Sequence, residues 1–245
     1  MFLLPGDIRL SEYEQFLGYS WNDCFKRRLG ALRASASINM LTETLASQNQ
    51  IDFIFYDTGP NIGPLNRVLL LDSDYFVVPV ACDLFSERAL STLGQTLKGW
   101  ITDWTTIASL APDDATLLRG LPELLGFIPQ QFRVYGQGMA QAPSYYFRRI
   151  RKKMHSDVIA VLRELDPTLA KATVTDAKLG QVQSFGRLVE LAQQQGVPLA
   201  HVTDGNESHR ATAEREFGEI ADRILARTSS GARKPPHKTA RKRAR

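Results

Sequence analysis

Residues 53–63, FIFYDTGPNIG, decide how the chain is expected to fold. Four apolar residues lead into Asp57, and a turn rich in glycine, proline and asparagine follows at once. A continuously apolar run is typical of a strand buried on both faces of a sheet, and we predict such a strand over residues 51–56. The strand would deliver Asp57 to the carboxyl edge of the sheet, where α/β proteins bind their ligands.

Helical and apolar segments alternate along the rest of the chain. The opening residues 2–17, FLLPGDIRLSEYEQFL, predict a short strand or loop and then a polar segment. Further strands are predicted over residues 75–80, 124–129 and, more briefly, 172–174. Helices are predicted over residues 21–48, 64–71, 86–104 with Ser86 as its cap, 146–165, 185–195 ended by Gly196, and 210–227. Residues 133–143 are rich in glycine and are expected to be mobile. The pattern predicts an α/β fold with a mostly parallel sheet and helices on both faces.

Charge is distributed unevenly between the body of the chain and its last residues. The net charge is +4, yet residues 228–245 alone hold seven Lys and Arg and no acid, which leaves −3 for the rest. This segment has almost no apolar residues to stabilise a fold. We therefore expect one α/β domain over residues 1–227 and a disordered basic tail over residues 228–245, which would attract a polyanion or serve only solubility.

Composition favours a cytoplasmic protein. No apolar run approaches the roughly 18 to 20 residues that a membrane-spanning helix needs, and the first residues lack the basic start of a secretory signal. The two cysteines, Cys24 and Cys82, lie in apolar surroundings far apart in sequence. Two free thiols in a reducing compartment are the expected state.

An apolar strand that ends in aspartate is compatible with two roles. In a Walker B element the carboxylate holds Mg²⁺, usually through water, while the ion bridges nucleotide phosphates. Many aspartates at strand ends instead cap the following helix or turn. From the local pattern alone, both roles for Asp57 stay open.

The wider stretch resembles the ParA/MinD family of partition and positioning ATPases. Residues 57–63, DTGPNIG, are similar to the D-x-P-P-S-x-G turn of that family. Asp57, Pro60 and Gly63 match its positions, whereas Gly59 replaces a proline and Asn61 a serine. Residues 65–90 look like the helix and strand that follow this turn in the family. The resemblance extends over roughly residues 3–226 and is most specific over residues 51–90.

The resemblance implies a set of roles around a nucleotide. Asp57 would organise Mg²⁺ and its water and so be both the metal ligand and the catalytic residue. Thr58, Pro60 and Gly63 would form a switch turn that senses the γ-phosphate of ATP. Gln130 and Gln131 would contact the base, and a polar strand end that faces water is the alternative for them. Intact family members bind Mg²⁺ and ATP, form dimers, bind DNA non-specifically and respond to a partition-type adaptor protein, so a homodimer or a partner subunit is expected here.

The chain has no phosphate-binding loop of the G-x-x-x-x-G-K-S/T type and no Gly-Lys pair. Such a loop supplies most of the phosphate affinity and of the transition-state stabilisation. Whether this polypeptide is an enzyme is therefore open, and alone it should hydrolyse ATP very slowly or not at all. A gene start placed too late, a degenerate non-catalytic homologue, and a chain completed by another subunit are the three explanations.

Basic residues follow an aromatic run in the predicted helix over residues 146–165. This patch and the tail are the expected contacts to nucleic acid, and a solvated helix face is the alternative for the patch. The residues concerned are Arg148, Arg149, Arg151, Lys152, Lys153, Arg241, Lys242 and Arg243. The alternative to an ATPase is thus a non-catalytic nucleic-acid-binding or scaffold protein that retains the fold.

Overall fold

The structure is a computed structural model that describes residues 2–59, 61–132, 134–135, 138–139 and 141–229. Several residues named above lie outside the described residues or their described side chains. They are Pro60, most of the glycine-rich segment over residues 133–143, and Arg241, Lys242 and Arg243 of the tail. The described chain divides into two compact units: unit 1 comprises residues 2–74 and 96–122, and unit 2 comprises residues 75–95 and 123–229.

Unit 1 is helical. Its helices are α1 (Leu10–Phe25), α2 (Leu29–Ser35), α3 (Ser37–Asn49), α4 (Pro64–Asp72) and residues 96–110 of α5 (Leu84–Leu110). Trp21 of α1 stacks on Trp104 of α5 with ring centroids 5.6 Å apart, and both side chains are buried. This aromatic pair and the buried aliphatic side chains around it form the core of the unit.

Two expectations for unit 1 are corrected at its first helices. Residues 10–20, for which we predicted a polar segment and no helix, belong to α1, because Leu17, Trp21 and Cys24 share one buried face at helical spacing. The single helix predicted over residues 21–48 is interrupted at Arg27, whose φ of 60° no right-handed helix accommodates. The interruption lets α1 and α2 pack against each other.

The strand predicted over residues 51–56 is wrong. These residues are extended but belong to no strand, and in the described chain the backbone of residues 52–58 makes no hydrogen bond to a neighbouring strand. Phe53, Ile54 and Phe55 are consequently exposed. An apolar run becomes a buried strand only where a partner strand pairs with it, and local sequence does not supply that partner.

Unit 2 contains a parallel three-stranded sheet in the order β1–β2–β5, which confirms the predicted α/β class. Its strands are β1 (Tyr75–Ala81), β2 (Glu123–Phe132) and β5 (Val182–Gln183), while β3 (Val134–Tyr135) and β4 (Gly138–Met139) form a separate antiparallel pair. Strand β2 is the most buried because it pairs on both sides. Residues 172–174, where a strand was predicted, form none in the described chain, and the nearby Lys178 makes an isolated parallel bridge to Phe127.

Helices precede and follow the strands of unit 2 along the chain. They are residues 84–95 of α5, α6 (Gln141–Lys153), a π-helical turn (Met154–Ile159), α7 (Ala160–Leu165), α8 (Arg187–Gln195) and α9 (Glu207–Thr228), with short 3-10 turns at Pro167–Leu169 and Leu199–His201. Gly196 ends α8 in the left-handed conformation, as predicted. Asp83, and not Ser86, caps α5: its Oδ1 accepts a hydrogen bond of 2.7 Å from the Ser86 amide.

Candidate functional site

The segment that leads to Asp57 is extended and exposed. Phe55 is 77% exposed, and its ring stacks on that of Phe53 at a centroid distance of 6.2 Å. Asp57 is itself exposed, and within the described chain its carboxylate has no hydrogen-bonding or ion-pairing partner. A carboxylate with this freedom remains available to a ligand.

Tyr56 anchors the segment immediately before Asp57. Its hydroxyl lies 2.9 Å from the hydroxyl of Thr42 on α3, and burial raises the pKa of the Tyr56 phenol. Thr42 is itself buried. This contact fixes the position at which the chain enters the turn.

A buried polar cluster lies close to Tyr56. Asp72, 7% exposed, accepts a hydrogen bond of 2.9 Å from Asn39, and its Oδ1 has no partner in the described chain. Burial raises the pKa of the Asp72 carboxyl. Arg119 forms ion pairs with Asp74 and Glu43. These charges connect α3, the end of α4 and the loop that contains Arg119, so they stabilise the frame that holds Tyr56.

Two asparagines hold the turn after Asp57. Asn66 of α4 donates hydrogen bonds to the carbonyl of Gly59 at 2.7 Å and to the carbonyl of Asn61 at 2.9 Å. The side-chain oxygen of Asn61 accepts from the amides of Gly63, at 2.9 Å, and Asn66, at 3.0 Å. Asn61 thus uses the turn chemistry that short polar side chains favour.

The side chain of Glu14 lies close to Gly63. A Cβ on Gly63 would lie 2.0 Å from Oε1 of Glu14. The same oxygen accepts a hydrogen bond of 3.4 Å from the Leu65 amide in the first turn of α4. A carboxylate is favourable at this positive end of a helix. Sequence inspection missed Glu14 and Asn66, because nothing in the sequence links residue 14 to residues 63–65.

Gln130 lies at the carboxyl end of β2 in unit 2. It is half-buried, its carbonyl accepts from the Cys82 amide at 3.3 Å, and its Cα pairs with Ala81 and Val182. The next residue, Gln131, has a φ of 59° and is exposed, at a point where the register with β5 shifts. Such an irregularity turns a side chain away from the sheet. The structure therefore offers Gln131 as well as Gln130 at this edge.

The five basic residues of α6 divide between two environments. Arg149 forms an ion pair of 2.7 Å with Glu87, whose side chain is 2% exposed, and also donates to the Tyr145 hydroxyl. The Arg149 guanidinium lowers the pKa of the Glu87 carboxyl. Lys153 forms an ion pair of 3.1 Å with Asp157. Arg148 and Lys152 are exposed and Arg151 is half-exposed.

The described chain offers few side chains that could bind a metal ion. Within the described residues no cluster of three or more His, Cys, Asp or Glu side chains could hold a metal ion. Magnesium is usually bound by one or two carboxylates together with waters and substrate phosphates. Asp57 supplies one such carboxylate, but the chain contains no loop that would cradle the phosphates. The described helices also include none that is both long and apolar enough to cross a bilayer.

Comparison with known proteins gives a family match that includes the residues of this site and a structural match to the fold. Residues 1–107, which include Asp57 and its turn, match the AAA domain family, a family of P-loop NTPase-like ATPases. The solved structure of protein DIP2308 from Corynebacterium diphtheriae has a TM-score of 0.62 and 22% identity, and the match covers 91% of this chain and 64% of that one. The chain thus spans less than two thirds of that protein, and the likeness concerns the fold alone. No curated protein matches the chain.

Proposed function

We propose that the chain is the part of a ParA/MinD-like ATPase that contains the magnesium-organising aspartate and the switch turn. The observation that carries the proposal is the turn after Asp57, held by Asn61 and Asn66 and joined to the start of α4. A turn braced in this way can change conformation as a unit when a phosphate arrives or leaves. The match of residues 1–107 to the AAA domain family supports it.

Asp57 would position the magnesium ion and the attacking water. Thr58 and Gly63 would approach the γ-phosphate as parts of the switch turn, with Pro60 between them. Gln130 would contact the base of ATP. In the intact protein, the positioning of DNA or plasmids would follow from a nucleotide-dependent dimer that binds DNA and an adaptor protein in the cytoplasm.

Catalysis requires a phosphate-binding loop that these 245 residues do not contain. The unpaired backbone of residues 52–58 supports a role for these residues as a strand that pairs once that loop and its strand are supplied by another segment or subunit. The chain alone would then bind Mg-ATP too weakly to measure and would not accelerate its hydrolysis above the uncatalysed rate.

Calorimetry and a phosphate-release assay test this proposal directly. We expect no measurable Mg-ATP binding by the 245-residue chain, and binding with hydrolysis once a segment carrying the phosphate loop is joined or added. In that reconstituted form Asp57→Ala should abolish hydrolysis while Asp52→Ala, five residues earlier, leaves it intact. Unchanged hydrolysis by the Asp57→Ala variant would refute the role of Asp57.

The second candidate is a non-catalytic nucleic-acid-binding or scaffold protein with one folded region over residues 1–227 and a basic tail over residues 228–245. The exposed cations of α6 favour it. It predicts DNA binding that decreases steeply with salt, does not respond to ATP, and weakens when residues 228–245 are deleted. Equal binding by the tail-less chain would argue against this candidate.

A further inference from the structure

The cations of α6 separate by helical face. Arg149 and Lys153, four residues apart, share the face that meets Glu87 and Asp157. Arg148, Arg151 and Lys152 have the spacing i, i+3, i+4 and so share a different face. Within the described residues no carboxylate lies within ion-pairing distance of these three side chains. Two of the five positive charges are therefore neutralised locally and three are not.

Two cations from other parts of unit 2 lie beside the second face. The Phe147 ring has the guanidinium carbon of Arg151 6.0 Å from its centroid and Lys178 Nζ 5.3 Å from it. Arg223 of α9 donates a hydrogen bond of 3.4 Å to the Lys178 carbonyl. Residues distant in sequence therefore bring the charges of Arg151 and Lys178 to one aromatic ring, and Arg223 is held against the backbone of Lys178.

This convergence of like charges is unfavourable in the free protein. Burial lowers the pKa of the half-buried Lys178, and Arg223 and Arg151 lower it further. The Lys178 ammonium donates to the neutral side-chain oxygen of Gln181 at 2.8 Å. The carboxylate of Glu216 acts in the opposite direction to the two arginines, but its effect on the pKa of Lys178 is smaller than theirs. Arg151 donates to another neutral group, the Thr175 hydroxyl, at 3.3 Å. An anion bound here would relieve the repulsion.

We propose that Arg148, Arg151, Lys152, Lys178 and Arg223 form one surface that binds the phosphodiester backbone of nucleic acid. The inference rests on the nucleic-acid contact of the proposed function but needs neither its nucleotide nor its aspartate. It assigns Lys178 and Arg223 to the contact and leaves Arg149 and Lys153 as residues that fix α6 to α5 and to the π-helical turn.

A nucleic-acid backbone suits this surface better than a bilayer. Arginine presents a planar fork of donors that matches phosphate oxygens, and three of the five residues are arginines. The charges are contributed by two helices and a loop, which suits successive phosphates of one strand. Phe147 is half-buried between two cations and so lacks the exposed apolar face that inserts into lipid.

Fluorescence anisotropy with a labelled DNA duplex of random sequence tests the surface, with EDTA present and no nucleotide. Each phosphate neutralised contributes about 0.9 to the slope of log affinity against log salt concentration. The triple variant Arg148→Gln, Arg151→Gln, Lys152→Gln should lower this slope by about 2.7, and Arg223→Gln alone should lower it by about 0.9. The matched control replaces three other exposed arginines, Arg9, Arg27 and Arg33, by glutamine and should leave the slope unchanged.

The basic tail is present in every variant, so its contribution to the slope cancels. Circular dichroism confirms that each variant is folded. Equal slopes for the triple variant and the control overturn the proposal, as does wild-type protein that fails to bind the duplex at low salt. Binding to vesicles of 20% phosphatidylserine that depends on the same three residues, without binding to DNA, also overturns it. Because nucleotide is absent, loss of the ATPase hypothesis would not affect this result.

Discussion

Gly94 of α5 allows a close approach to the π-helical turn Met154–Ile159 in unit 2. A Cβ at this position would lie 1.7 Å from the backbone oxygen of Asp157 and 2.8 Å from its carbonyl carbon. Both are backbone atoms and cannot rotate away, so Gly94→Ala must force the two helical segments apart. Overpacking costs about 1–3 kcal/mol, and alanine regains about 1 kcal/mol of helix propensity. Since the overlap is severe, the upper cost applies, and we expect a net loss of about 2 kcal/mol in the free energy of unfolding.

Urea unfolding followed by far-ultraviolet circular dichroism measures this loss. Gly99 provides the matched control, because it lies in the same helix with no atom within 4 Å of its added Cβ. Gly99→Ala should gain up to about 1 kcal/mol from helix propensity alone. A Gly94→Ala variant as stable as the wild type, or one that shifts in the same direction as Gly99→Ala, would refute the close approach of α5 to the π-helical turn.

Two further predictions concern Asp157 and Gly63. Hydrogen bonds from Ser156, Ser91 and Lys153 lower the pKa of Asp157 to about 2. The ionised Asp157 carboxylate therefore contributes its full stabilisation above the ordinary pKa of 3.8, and this stabilisation is lost as the pH falls through about 2. The free energy of unfolding of Asp157→Asn, measured in urea, should consequently depend less on pH between these values than that of the wild type. Gly63→Ala should cost about 1 kcal/mol, because the added Cβ would meet Oε1 of Glu14 at 2.0 Å and Oδ1 of Asn61 at 2.9 Å, and in thermal melts adding Glu14→Ala should recover the part that Glu14 causes. A double variant that melts no higher than Gly63→Ala would contradict that explanation.

The sequence correctly predicted those helices and strands whose sequence signals lie within their own residues. Helix α4 has a proline in its first turn, and strand β1 is continuously apolar. Helix α8 ends at a glycine. Each signal acts on its own residues through backbone geometry or burial, so the sequence was sufficient. Residues 10–20 of α1 were missed because the buried face of the helix is narrow and many of its other positions are polar.

The residues of the candidate site likewise include some that local sequence predicts and some that depend on contacts between distant segments. Asp57 and the turn after it were predicted because an apolar run, an aspartate and a cluster of turn residues stand next to one another. Glu14 could not be predicted, since its contact with Gly63 and Leu65 depends on how α1 packs on α4. The prediction of a strand before Asp57 was wrong because it, too, depended on a contact outside the local sequence. Its local signal is strong, but a strand exists only with a partner, and none pairs with it in the described chain.

The unpaired segment over residues 52–58 also clarifies how Asp57 is positioned. In a completed sheet, ladder hydrogen bonds would fix the residues before the aspartate. Here Tyr56 is held instead by Thr42, and the turn is held by Asn61 and Asn66. Neither set of contacts uses the backbone amides and carbonyls of residues 52–58. Pairing of these residues with an added strand would therefore leave the anchor and the turn intact, and the site around Asp57 can be assembled before the strand that would complete it.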